Sequence, residues 1–151
     1  MPVPTTPFAA FALLLAAPSS IVVAQEMAPP ALVTAQDILG GLPTDGSSWL
    51  TFGGDYANQR HSPLTQITPE NVGRLVPRWT FQTGTLGNFE TTSLLRDNVL
   101  YVTGPQNVAW AIDARTGRQI WRYRRELPSG LTACCGLVNR GFAIRGDKLF
   151  M

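Results

Sequence analysis

The sequence predicts an all-β domain of short antiparallel strands, and three observations carry that expectation. Five candidate strands follow one another after Pro77, no long helical pattern separates them, and turn formers fill the gaps, with Gly 14 and Pro 12 among 151 residues. Strands spaced so closely must neighbour one another antiparallel, because a parallel crossover consumes roughly a dozen or more residues.

The first 24 residues are expected to be a signal peptide and no part of the fold. Phe8 to Ala17 is an apolar run too brief to cross a bilayer, and Val22-Val23-Ala24 offers small residues for cleavage before Gln25. No Lys or Arg precedes Arg60, so only the α-amino group is positive in the leading segment. Cleavage after Ala24 gives a periplasmic or secreted chain with no membrane span in its mature part. Residues 25–48, rich in Ala, Pro, Thr and Gly, read as a flexible leader or as an edge segment packing over the domain. Within them Ala35 to Leu39 has weak helical character, ended by Gly40-Gly41.

Trp49-Leu50-Thr51-Phe52 opens the ordered region, expected to run over 49–151. Thr68-Pro69-Glu70-Asn71 predicts a helix start, with Thr68 as cap, Pro69 in the first turn and Glu70 at the positive end of the dipole. Gly73 and Pro77 keep that helix short. The candidate strands are Arg78–Gln82, Thr91–Arg96, Val99–Thr103, Val108–Asp113 and Arg118–Tyr123. Asp97-Asn98 suits a two-residue hairpin turn, Pro105-Gln106-Asn107 divides the next pair, and Ala114 to Gly117 the last.

Trp79 and Trp121 lie 42 positions apart, close to the ~40–45 residues of a four-stranded propeller blade. Around the second, Asp113 can accept backbone N–H groups across a turn and Gly117 can take a positive φ. Trp121 then offers a flat surface to the wedge between neighbouring sheets of a radial array. The net charge of +2 is too small to argue for nucleic acid or an anionic membrane surface.

Cys134 and Cys135 are the only cysteines. Consecutive Cα atoms stand about 3.8 Å apart, below the usual ~4.4–6.8 Å of a disulfide. A strained ring, two free thiols and intermolecular pairing all remain open on the residues alone. Zinc is disfavoured, because two adjacent thiolates and a distant His61 do not supply four ligands.

Ala111-Ile112-Asp113-Ala114-Arg115-Thr116-Gly117-Arg118-Gln119-Ile120-Trp121 resembles the AxDxxTGxxxW docking repeat of quinoprotein dehydrogenase propellers at all five specified positions. Upstream, Asp55 to Leu64 (DYANQRHSPL) is similar to the family's DYxNQRYSPL opening, with His61 where Tyr is usual. Cys134 to Gly141 (CCGLVNRG) is similar to CCDxVNRG of the PQQ-dependent alcohol and methanol dehydrogenases, with Gly136 where Asp is common. The three blocks stand in family order from Trp49 onward.

The resemblance implies an eight-bladed propeller binding PQQ and a calcium or lanthanide ion on its axis. It implies oxidation of an alcohol to the aldehyde there, with electrons passing to a cytochrome. On the same basis Cys134 and Cys135 join in a disulfide ring packing flat on PQQ, Arg140 contacts the quinone oxygens, and Glu90 is an early cofactor-contacting residue. Asn139 is expected to shape the turn that aims Arg140. The catalytic Asp base, the metal ligands and the opposite stacking wall belong to later blades, and neither Asp55 nor Asp113 is assigned as base. Eight blades of about 40–45 residues need over ~300 residues. The chain is therefore expected to be the front of such an enzyme, its first blade complete and its second begun, and inactive alone. A non-catalytic propeller-repeat scaffold of outer-membrane assembly type is the alternative, although it has no need for Cys-Cys followed by Asn-Arg-Gly. The product of a broken gene is a third.

Overall fold

Val108 to Ile112 is an unbroken apolar run, and an apolar strand of that kind must be covered on both faces. The computed structural model, which describes residues 32–151, places it at the centre of the molecule. The expected signal peptide and residues 25–31 lie outside the described residues. Strands β1 (Ser48–Trp49), β2 (Leu94–Arg96), β3 (Val99–Gly104), β4 (Val108–Asp113) and β5 (Gln119–Arg124) form one sheet in chain order. All neighbours are antiparallel. Strands β6 (Ala143–Arg145) and β7 (Lys148–Phe150) form a separate antiparallel hairpin. The all-β expectation holds, with one sheet complete and a second begun.

Side-chain alternation divides β4 between two environments. Val108, Trp110 and Ile112 are buried against Trp79, Phe81, Leu100 and Val102. Ala109 and Ala111 face the other way and are fully buried beneath the side of the sheet that carries Tyr101, Thr103 and Trp121. There Leu94 joins Val33, Leu50 and Ile144 in a second core, flanked by Tyr101, Phe142 and Leu149. Trp121, tilted against Tyr101 at 6.2 Å, lines the cavity beside Phe142 and Leu149. It stands where the sequence puts it, between the two sheets.

The turns follow their residues. Asp97 and Asn98 take φ of 49° and 60°, the paired left-handed conformation of a tight hairpin. In the last turn the Asp113 carboxylate accepts from Arg115 N at 2.9 Å and Thr116 N at 3.3 Å. Gly117 has φ +73°, and a Cβ there would stand 2.7 Å from the Trp79 indole. Trp79 Nε1 donates to Ala114 O at 3.0 Å, closing the contact.

Two expectations need correction. Arg78–Gln82 is not a strand; it lies over one face of the sheet and contributes the Trp79 and Phe81 side chains, while no ladder pairs its backbone. The helix expected from Thr68 is a single 3₁₀ turn, Val72–Arg74, without a side-chain cap. Asn71 Oδ1 accepts from Thr68 N at 2.8 Å, so the asparagine caps the threonine, and Gly73 and Pro77 leave no length for a second turn.

Residues 32–48 take the form of an edge segment packed over the domain. Val33 is buried and exchanges two backbone hydrogen bonds with Gly146. Helix α1 (Ala35–Leu39) carries a full capping box between Thr34 and Asp37 and ends at Gly40.

Gly117→Ala should cost about 2–4 kcal/mol, combining a left-handed Cβ with the Trp79 overlap, and a denaturant melt reads it. Hydrogen bonds from Arg115 N first, then the rest of the turn, hold the Asp113 carboxyl below its ordinary range. A lowered folded pKa stabilises above the unfolded value and is lost as pH falls through the folded one. An acid titration of stability should therefore be shallower at low pH in Asp113→Asn than in the unsubstituted chain.

Candidate functional site

Both ends of the main sheet are built from conspicuous residues, and they are different ends. The Asp113–Gly117 turn and Trp79 close one. The other, where β3 ends and β4 begins, collects every residue expected to contact a cofactor or to aim one that does.

Glu90 lies in a segment without regular structure and is held by its neighbours. Phe89 stacks on Trp110 with ring centroids 6.1 Å apart and planes at 26°. That contact depends on Gly104, where a Cβ would sit 2.8 Å from both rings. Thr91 Oγ1 accepts from Thr103 N at 3.4 Å, and the Thr91 and Thr103 hydroxyls stand 2.9 Å apart.

The segment from Cys134 to Gly141 returns to the same platform. Gln106 N donates to Leu137 O at 2.8 Å, and Thr92 N to Arg140 O at 3.3 Å. Thr92 and Gly141 form a parallel bridge. Asn139 Oδ1 accepts from Gly141 N at 3.0 Å, so Asn139 does shape the turn at Arg140.

These constraints bring Glu90 and Arg140 together from positions 50 residues apart. Glu90 Oε2 accepts from Arg140 Nε at 3.2 Å, and Arg140 Nη2 stands 3.1 Å from the same oxygen. The side chains are 38% and 67% exposed, so the pair adds no more than ~1 kcal/mol to folding and is not what holds the segments. Its remaining N–H groups face solvent and can receive an anion or a carbonyl oxygen.

Cys134 and Cys135 are the central residues of a tight turn closed by Gly136 N donating to Ala133 O at 3.2 Å. Both are exposed free thiols with sulfurs 3.1 Å apart. A cavity of 320 Å³ opens beside this turn, lined by Leu86, Gly87, Pro105, Gln106, Gly136 and Leu137. A larger one, 560 Å³, lies between β5 and the hairpin and is lined by Asn107, Trp121, Tyr123 and Phe142 but by none of Glu90, Cys134, Cys135 and Arg140. Among the described residues no three His, Cys, Asp or Glu side chains converge on a possible metal position, and no helix is long and apolar enough to cross a membrane.

Sequence reasoning overlooked Thr103, Gly104 and Phe89. Thr103 and Gly104 read as an ordinary strand end; only the pairing of distant segments gives them a role.

A blade-like five-stranded sheet has a second sheet begun beside it, and one end of the first receives both the Glu90–Arg140 pair and the segment that carries the vicinal thiols. The family model described as the glucose/ethanol/alcohol dehydrogenase β-propeller domain (PQQ) matches residues 49–148, and the chain belongs to that family. It is 43% identical to the 1-butanol dehydrogenase (quinone) of Thauera butanivorans over 120 residues, 78% of this chain and 19% of that protein. It is 39% identical to the quinoprotein ethanol dehydrogenase of Pseudomonas aeruginosa over the same shares, 78% and 19%. A quinohemoprotein alcohol dehydrogenase structure from Pseudomonas putida superposes with TM-score 0.69 at 38% identity, covering 80% of this chain and 18% of that one. A europium-containing methanol dehydrogenase does so with TM-score 0.64 at 35% identity, covering 70% and 19%. The chain thus spans under a fifth of the length of the curated relatives it matches.

Glu90→Gln should change folding stability by less than about 1 kcal/mol, since the pair is exposed and the segments are held by backbone. Equilibrium unfolding checks it.

Proposed function

We propose that this chain supplies the first blade and one wall of the PQQ site in an alcohol dehydrogenase that oxidises an alcohol to its aldehyde. The observation that carries the proposal is the Glu90–Arg140 contact, formed across 50 residues at the sheet end that also receives the Cys134–Cys135 turn. The donor set suits PQQ, a planar anionic o-quinone. Arg140 offers a charged planar fork, and the thiol turn is exposed enough to meet a flat ring.

PQQ, when bound, supplies the electron-accepting carbonyl chemistry. Arg140 then orients a carbonyl oxygen or carboxylate and stabilises negative charge that grows on oxygen. Glu90 fixes the guanidinium plane and balances its charge, and beside an anionic cofactor it accepts from Arg140 rather than standing alone. Cys134 and Cys135 would pack against one face of the ring, and a thiol oxidant of the exporting compartment, taking up two electrons and two protons, would join them into a rigid plate there.

A calcium or lanthanide ion held by residues outside this chain completes the proposed site, a reading supported by the europium in a structural neighbour. A cytochrome c-type acceptor is supported by the 1-butanol dehydrogenase (cytochrome c) of Thauera butanivorans, 42% identical over 108 residues. Export through cleavage of residues 1–24 fits the apolar run at Phe8 to Ala17. Residues 25–48 then form the leader and 49–151 the partial propeller domain.

PQQ titration of the longer protein containing this chain, compared with its Arg140→Ala variant, is the test. Affinity should fall about ten- to a hundredfold, the scale of a lost hydrogen bond to a charged group. Unchanged affinity would remove Arg140 from the site.

A further inference from the structure

We infer that Thr103 is a positioning residue that sets the spacing between Glu90 and Arg140; the inference rests on those two forming the cofactor wall proposed above. Thr103 is the penultimate residue of β3 and is fully buried, at 0% exposure, on the side of the sheet that faces the second hairpin. It touches the neighbour of each site residue. Its hydroxyl is 2.9 Å from Thr91 Oγ1, next to Glu90, and 3.5 Å from Asn139 O, next to Arg140.

Thr103 N and the Thr103 hydroxyl both donate to Thr91 Oγ1, at 3.4 and 2.9 Å, and Asn139 O at 3.5 Å is the second acceptor within reach of the same hydroxyl. One buried oxygen thereby joins two segments that share little else. The other links are Thr92 N to Arg140 O and the bridge from Thr92 to Gly141. Because the Glu90–Arg140 pair is too exposed to hold its own geometry, its spacing is inherited from this junction. Serine keeps the hydroxyl and valine keeps the shape, so the two replacements separate hydrogen bonding from packing.

Amide hydrogen exchange on the 151-residue chain reads the junction directly. In Thr103→Val, Thr92 and Gly141 should lose protection by about tenfold, the scale of one hydrogen bond's net contribution. Amides of the β3–β4 ladder, such as Tyr101 and Trp110, should keep theirs, and Thr103→Ser should restore Thr92 and Gly141. PQQ affinity in the longer protein should fall and recover in the same order. Equal loss of protection across the ladder, or none at Thr92 and Gly141, overturns the inference. Should Thr103→Val fail to fold, Thr91→Val removes the same hydroxyl contact from the half-buried side and must give the same selective loss; its failure to do so is equally decisive. Absence of PQQ binding in the unsubstituted protein would count against the proposed function, while the exchange result still decides the role of Thr103.

Discussion

Burial of β4 on both faces is the constraint on which the rest depends. Five consecutive residues of that strand are removed from water, and each face needs a different cover. The face bearing Val108, Trp110 and Ile112 is covered by Trp79 and Phe81 from a segment that pairs with nothing. The opposite face carries only methyl groups, at Ala109 and Ala111, so neighbouring strands can lay Tyr101 and Trp121 across it. Large side chains on one face and small ones on the other let a second sheet approach closely on the second face only.

That asymmetry also explains why the two ends of the sheet differ. At one end the Asp113 turn and Trp79 lock each other: the indole rests where Gly117 has no Cβ and donates to the Ala114 carbonyl. This end is a structural clasp. At the other, β3 and β4 are joined through Pro105-Gln106-Asn107, whose backbone groups are not all consumed by the ladder. Gln106 N reaches Leu137 and Asn107 O accepts from Arg125 N, so the chain entering the second sheet is tied to the first. Groups that carry chemistry gather where strand pairing ends, because there the backbone has donors and acceptors left to place loops.

Glu90 and Arg140 show how little of a site's geometry its own charges supply. An ion pair this open to water is weak, and two flexible side chains would not hold one arrangement unaided. Position comes from neighbours that are themselves unremarkable in charge: Phe89 on Trp110, Gly104 beneath both, Thr91 on Thr103, and Asn139 folding back on Gly141. The cost is concentrated in buried, exactingly spaced polar contacts, and the exposed groups are left free to meet a ligand.

Local chemistry was enough to read much of this protein from its residues. Hairpin turns at Asp97-Asn98 and Asp113–Gly117, the short helix stopped at Gly40, and the alternation of β3 and β4 each depend on a few adjacent side chains. The family was legible for a similar reason, since its motifs are contiguous, and Glu90, Cys134, Cys135 and Arg140 were named from them. Arg78–Gln82 and Thr68 misled because extended backbone and a helix-start pattern are compatible with more than one environment, and the environment is chosen by distant partners. Only the tertiary structure brought Glu90 to Arg140, set Trp79 over Gly117 and gave Thr103 two segments to join. Those contacts span tens of residues, and hydrogen bonds between remote segments leave no periodic trace in the sequence that makes them.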